Sequence, residues 1–430
     1  MLKHVFTTIK ISSYIGWLTL CYSVGNKTRL ECIKSTAKYL TSLNIVYSKI
    51  FQALSSGINF LSHEEMKYLS QYNDIAPYSQ NEVCDIYDII ENLNKKSVHK
   101  DVLILKPDSL VNSGIISIVY YGRLGEKDVV IKVKRRGIRE KLIDGISLAE
   151  FISFISKYIP YINKLNLQII VEENKEVLLK QTDFNIELEN IIEFKHTFRN
   201  IDYITIPEPY ECFTKINDNV IVMEQIKGYR MNDVNFNSNV ALKLRFAKLV
   251  AKFAMKCMFI DKLFHSDLHG GNIFFDNTCE DNPKLGVIDF GLVNKLTKQM
   301  QTSFCEMFKN IIVDADFSSA AKLALDFIVP IHNTNKVLTP AETQEIIDKI
   351  APHMKELFEL SDNGVSTISN INNVLLSYGV HLTRDFYNLY VALFMSAGLC
   401  NGLCDKDTKF LHIIRGVITD MFTTLEISSQ

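Results

Sequence analysis

The 430-residue chain lacks any excess of charge: 47 basic and 49 acidic side chains leave a formal net charge of −2. No global field attracts polyanions, and nucleic acid is not expected as a partner. It also lacks a C-x-x-C pair. Its nine cysteines are odd in number and scattered, which argues against a disulfide framework or a zinc ribbon and predicts reduced, mostly buried thiols in an intracellular setting. Long apolar runs are missing too. The uncharged stretches Ile11–Asn26 and Phe386–Cys404 hold 16 and 19 residues, each diluted by polar ones, whereas a spanning helix needs about 20 mostly apolar residues. The second is expected to be a core helix. The first is bracketed by cations alone, Lys3 and Lys10 before it and Lys27 and Arg29 after it, with Glu31 the first acid. A targeting segment, an interfacial anchor giving peripheral membrane association, and an ordinary packed helix all stay open for it. An organellar or membrane-associated location stays open with them.

What is present falls into a clear order. Leu30, Ile33, Ala37, Leu40 and Leu43 recur at three- and four-residue steps, which predicts an all-helical leader from Thr28 to about Tyr72. After Lys106-Pro107 the period changes to two: Ile116, Ile118 and Tyr120 alternate, then Val129, Ile131 and Val133 beyond the turn Gly125–Asp128. That pattern predicts a small antiparallel sheet. Helical periodicity returns over Ile138–Tyr158 and Asp183–Phe198, short strands are expected at Tyr203–Ile206 and Val220–Met223, and the rest is mostly helical around the apolar runs Asn272–Phe275 and Leu285–Ile288. The expected division is residues 1–106, 107–226 and 227–430.

The chemistry-bearing residues follow that order. Asp267 lies two residues after His265, and Asn272 five after Asp267, the spacing of the protein-kinase H-R-D-x-x-x-x-N loop. Asp289-Phe290-Gly291 follows the run Leu285–Ile288, which would set its carboxylate at a strand end. Upstream, Lys132 in Val130-Ile131-Lys132 stands where a kinase keeps its phosphate-binding lysine, and Glu187 lies on a later helical segment that could hold it by an ion pair. Met223, Glu224 and Ile226 end an apolar strand and turn toward Gly228, as a backbone that binds adenine would. Phosphoryl transfer needs all of these: an orienting carboxylate at Asp267, magnesium ligands at Asn272 and Asp289, and a cation for the phosphates of ATP at Lys132. The fold class predicted is α+β, a protein-kinase-like two-lobe fold with an N-terminal helical extension and a helix-rich C-terminal lobe.

Other chemistries fit these residues less well. His265, Asp267 and His269 have the residue types of a 2-His-1-carboxylate iron site, but such a site needs a distant second histidine and leaves Asn272 and Asp289 without a purpose. Lys132, Lys134, Arg135 and Arg136 form a basic run, usually a solvated face; strand alternation turns Lys132 and Lys134 away from Val129, Ile131 and Val133. No G-x-x-x-x-G-K-[ST] loop exists. The kinase G-x-G-x-x-G loop is missing as well, and Asn112–Ser117, with the single glycine Gly114, stands in its place.

That substitution, with the helical leader, resembles the UbiB/AarF atypical kinase family. Its K-x-G-Q leader motif is similar to Lys49-Ile50-Phe51-Gln52, its E-L-D-F-R-R-E-A-A-N segment to Gln181–Asn190, and its H-A-D-P-H-P-G-N loop to His265–Asn272. The resemblance implies ATP and magnesium as cofactors, with a leader that lies over the active site, its Lys49 and Gln52 near Asp183. It also implies a link, in many members, to isoprenoid-quinone biosynthesis at membranes. The departures are Phe51 for the leader glycine, Gln181 for an acid, and Leu268 and Gly270 for two prolines. The phosphoryl acceptor stays open among small molecules, lipids and proteins. Two alternatives stay open beside an active kinase or ATPase: a pseudokinase scaffold binding lipid or protein, and a small-molecule phosphotransferase.

Overall fold

The computed structural model describes residues 2–48, 51, 63–70, 80–156, 167–231, 233, 239–279, 281–331, 336–359, 364–404, 413–414 and 416–417. The chain divides into two compact units, residues 1–189 with 208–225 and residues 190–207 with 226–430.

The first unit is built on a four-stranded antiparallel sheet in the order β1 (Leu103–Ser113), β2 (Ser117–Leu124), β3 (Lys127–Lys134) and β5 (Val220–Glu224). The turn from β2 to β3 holds two residues and places Gly125 at φ 60°, a left-handed conformation in which a side chain would also strike Asp101. Alternation sends Val129, Ile131 and Val133 into one core with Ile118, Tyr120, Val220 and Val222. Helix α4 (Ile86–Lys96) closes that core with Ile86, Ile90 and Leu93, at four- and three-residue steps. Each such side chain contributes about 1.5–3 kcal/mol by leaving water.

The strand β1 begins at Leu103, four residues before the proline that masks it in the sequence. Pro107 is tolerated because β1 lies at the sheet edge and its register with β2 breaks between Leu105 and Leu110. The described part of the leader consists of separate helices. Helix α1 (Leu2–Ser23) precedes α2 (Arg29–Leu43), which stops at Asn44, and α3 follows at His63–Ser70. Asn44 ends α2 because its side chain accepts from the Val46 N–H at 3.0 Å and donates to the Lys141 carbonyl at 2.9 Å, holding the backbone extended. Helices α5 (Ile138–Ser156) and α6 (Leu167–Lys180) and the start of α7 (Phe184–Thr197) complete this unit, with the short helix α8 (Glu211–Ile216) before β5.

The second unit is mainly helical. Helix α9 (Val240–Lys256), capped by Asn239, packs on α14 (Arg384–Leu403), and the Cys400 thiol donates to the Ala247 carbonyl at 3.3 Å. By length and composition α14 could cross a membrane. Phe386, Leu389, Leu393, Ala397 and Cys400 are buried along it instead, in keeping with the core helix expected there. Two small strand assemblies carry the polar loop. The strands β6 (Leu263–His265) and β9 (Val293–Lys295) pair antiparallel; β7 (Ile273–Asp276) and β8 (Lys284–Val287) form a hairpin, with β4 (Ile204–Thr205) parallel to β8. Helices α10 (Lys298–Lys309), α11 (Phe317–Ala324), α12 (Pro340–Glu359) and α13 (Gly364–Ser377) and the pair β10 (Ile328–Pro330) and β11 (Val380–Leu382) fill out the unit.

Candidate active site

In the first unit Lys132 sits in the middle of β3, opposite Val119 on one side and Ile221 on the other. Its Nζ donates to both carboxylate oxygens of Glu187, at 2.7 and 2.9 Å, and both residues are buried. Glu187 comes from the first turn of α7, where the positive end of the helix dipole favours a carboxylate. Phe184, one turn earlier, presents its ring 5.7 Å from the Lys132 ammonium and 5.1 Å from that of Lys134. Burial pulls the Lys134 ammonium below its ordinary pKa, against the opposing pull of Asp218 and Asp183. Asp183 therefore faces Lys134 electrostatically, while its carboxylate also accepts from the Asn185 N–H at 3.0 Å. Lys49 and Gln52, its expected leader partners, lie outside the described residues.

Gly114 occupies the short turn between β1 and β2, where its N–H donates to the Ser117 carbonyl at 2.9 Å. A Cβ there would meet only that carbonyl, at an ordinary 3.5 Å. The turn is fastened from outside by Arg135, which the basic run disguised as a solvated residue. Its side chain is fully buried; one guanidinium nitrogen donates to Glu82 at 2.9 Å, the other to the Ser113 hydroxyl at 2.6 Å, and its N–H donates to the Ile116 carbonyl at 2.9 Å. Lys141 also pairs with Glu82. No spacing rule connects Glu82, Ser113 and Arg135. Burial of a guanidinium next to a buried carboxylate is visible only once the chain is folded.

Met223 is buried in β5, opposite Val130, while Glu224 is exposed with its N–H donated to the Glu208 carbonyl at 2.8 Å. A donor for a base therefore does not come from Glu224. Ile226 belongs to the second unit, where its side chain rests against Gly286 so closely that a Cβ at that glycine would lie 2.4 Å from it.

The second unit brings Asp267, Asn272 and Asp289 onto adjoining segments. His265 is buried, and its Nδ1 accepts from the Asp267 N–H at 3.2 Å. His269 repeats the device, accepting from the Gly271 N–H at 3.1 Å. These two imidazole turns shape a loop that has no proline, while Leu268 anchors it as a buried apolar side chain. Because Nδ1 of His265 is an acceptor, Nε2 carries the proton. Burial holds this imidazole below its ordinary pKa, opposed by Asp267 and Asp289, so it is neutral at pH 7. Asn272 is buried and donates its amide to the Asp267 carbonyl at 2.9 Å, which orients the side chain and leaves Oδ1 as its oxygen acceptor. The Ile288 N–H donates to the Asn272 carbonyl at 3.0 Å, stitching the loop to the D-F-G segment.

Asp289 has φ 61°, a left-handed conformation that is uncommon outside glycine. Its Oδ1 accepts from the Gly291 N–H at 3.3 Å, the type of local bond that lets aspartate hold this backbone. Phe290 is fully buried 4.8 Å from Phe194, and its carbonyl accepts from the Asn190 amide at 2.8 Å. Phe290 thus acts as the anchor and Asp289 as the residue turned by it. No group of three or more His, Cys, Asp or Glu side chains suited to a metal occurs among the described residues. An amide oxygen at Asn272 and a carboxylate at Asp289 are the hard, sparse donor set that suits magnesium shared with phosphates.

A four-stranded sheet carrying a buried lysine–glutamate pair, and a helical unit carrying H-x-D-x-x-x-x-N before D-F-G, define a kinase-like protein. The family follows from comparison: the model of the ABC1 atypical kinase-like domain matches residues 75–324, and the chain belongs to that family. A relative named "Probable protein kinase UbiB" from Histophilus somni is 28% identical over 281 residues, 65% of this chain and 50% of the relative. One of the same name from Actinobacillus pleuropneumoniae serotype 5b is 32% identical over 188 residues, 43% of this chain and 34% of the relative. "Probable serine/threonine-protein kinase abkB" from Dictyostelium discoideum is 24% identical over 452 residues, spanning 100% of this chain and 64% of the relative. The match thus spans between about a third and two thirds of each of these relatives. Among solved structures, the Rv3197–erythromycin complex of Mycobacterium tuberculosis aligns with a TM-score of 0.48 at 16% identity, covering 74% of this chain and 79% of that one.

Proposed function

We propose that the chain binds ATP with magnesium and transfers or hydrolyses its terminal phosphoryl group. The observation that carries this reading is the buried Lys132–Glu187 pair. A lysine sealed in a sheet and held by two carboxylate contacts is fixed in direction, as a phosphate-contacting cation must be. In the sheet unit Lys132 contacts the phosphates, Glu187 positions it, the Gly114 turn covers them, and the strand end at Met223 and Glu224 borders the base. In the helical unit Asn272 and Asp289 hold the metal, whose charge neutralises the phosphates when it is bound. Asp267 orients the attacking hydroxyl or water and accepts its proton as the new O–P bond forms and the bond to the leaving phosphate breaks. Ile226, in that unit, has no backbone partner for its N–H among the described residues, and it supplies the donor that Glu224 does not. The family resemblance supports a link to isoprenoid-quinone metabolism, with a small molecule, a lipid or a protein as the acceptor.

The test is release or transfer of the γ-phosphate from labelled ATP by the full chain, beside Asp267→Asn and Lys132→Ala. Turnover in the wild type that falls by about 10²–10⁴ in Asp267→Asn supports the reading. Magnesium-dependent ATP binding with no turnover, unchanged by Asp267→Asn, would replace it with a scaffold that uses the kinase fold for binding.

A further inference from the structure

Helix α9 carries five cations and no acid: Lys243, Arg245, Lys248, Lys252 and Lys256. Two of them are tied into the fold. Lys256 pairs with Asp261 at 2.7 Å, and a guanidinium nitrogen of Arg245 donates to the Asp281 carbonyl at 3.2 Å. Lys248 and Lys252 have no carboxylate partner among the described residues. Arg245, Lys248 and Lys252 stand three and four residues apart, on one face of the helix, and all three line a cavity of about 480 Å³. Like charges at these steps repel one another, so a row of them facing one cavity calls for an anion.

We propose that this cavity binds a small organic phosphate monoester, with the phosphate on Lys248 and Lys252 and the apolar body against the remaining walls. The composition of the lining selects that ligand. Its three cations stand against one acid, Asp202, an imbalance that favours a dianion over a single carboxylate. Much of the rest is apolar: Leu249 on the same helix, with Pro283, Ile413 and Val417, all three buried. Tyr203 adds a ring whose centroid lies 5.5 Å from the Lys252 ammonium, so aromatic surface and cation already adjoin. Inorganic phosphate would leave the apolar walls wet, and a neutral hydrocarbon would leave the cations uncompensated. The volume falls within the range of small-molecule sites, about 300–1,000 Å³. Every lining residue belongs to the second unit, and none is assigned to phosphoryl transfer.

The experiment titrates phenyl phosphate calorimetrically into the full chain without nucleotide or magnesium, beside inorganic phosphate and benzyl alcohol as its two halves. Phenyl phosphate is expected to bind about tenfold or more tightly than either half. The double substitution Lys248→Ala with Lys252→Ala is expected to weaken it more than about tenfold. The melting temperature should not change, because neither ammonium is paired within the fold. Lys248→Arg with Lys252→Arg should keep the binding, which separates charge from packing. Asp289→Asn should leave the affinity as it is. Absence of phenyl phosphate binding to the wild type would overturn the proposal, as would binding that survives the double alanine substitution, which would place the ligand elsewhere. Equal affinity for inorganic phosphate would overturn the apolar half of the site. Loss of binding in the double arginine variant at unchanged melting temperature would overturn the role given to charge. With no nucleotide present, each of these results stands whether or not the chain turns over ATP.

Discussion

Lys132 and Glu187 in the sheet unit are sealed from water, whereas Asp267 and Asp289 in the helical unit are only half-buried. The two regions solve the same problem, fixing charge in a set direction, by different physics. The sheet unit answers a buried charge with a buried counter-charge, and removing either side leaves an ion without compensation. The helical unit leaves its carboxylates access to solvent and fixes them through backbone shape: imidazole turns at His265 and His269, and the left-handed φ of 61° at Asp289. Its cost is local strain, of order 1–3 kcal/mol for such a residue. Damage to the first region should therefore appear in stability, and damage to the second in chemistry.

The largest expected effect is that of Lys132→Met. It strands Glu187 and should cost about 3–5 kcal/mol in chemical denaturation, along with nucleotide binding. A loss of binding at unchanged stability would break the contrast. Arg135→Met is expected to cost about 2–3 kcal/mol by the same method, less than the first because Lys141 remains on Glu82, and to raise the KM for ATP more than it lowers kcat. Asp289→Asn should shift stability by less than about 1 kcal/mol, consistent with a half-open site. A cost as large as that of Lys132→Met would erase the distinction between the regions.

Smaller effects sharpen it. Burial holds His265 below its ordinary pKa, so on acidification the unfolded chain takes up the proton first, and the contribution of this neutral imidazole is lost as pH falls below about 6.5. The slope from this group cannot exceed about 1.4 kcal/mol per pH unit, and it should vanish in His265→Asn when stability is followed from pH 7.5 to 5.5. Gly114→Ala should be nearly neutral or stabilise by about 0.4–1 kcal/mol, since the turn has room for a Cβ and its fastening comes from Arg135.

The polar loop was the most legible part of the sequence, because the spacing from His265 to Asn272 is set by a single turn. Lys132 was legible through strand alternation. The antiparallel sheet was legible through its periodicity, and the buried helix Arg384–Leu403 through the uncharged, polar-diluted run Phe386–Cys404. What the sequence hid lies in long-range partnership and local interruption. Glu82 and Ser113 meet Arg135 across separations of 53 and 22 residues, so a basic run that reads as solvated holds a buried guanidinium. Pro107 concealed the start of β1, and Asn44 ended a helix that the apolar pattern alone would continue.

The most direct test of the central claim is thermal unfolding of the wild type and Asp289→Asn with ATP, with and without magnesium. The account expects a rise in melting temperature that requires both ATP and magnesium in the wild type and is absent in Asp289→Asn, at equal starting stability. No rise in the wild type at any magnesium concentration, or the same rise in both proteins, would contradict the assignment of Asp289 to the metal.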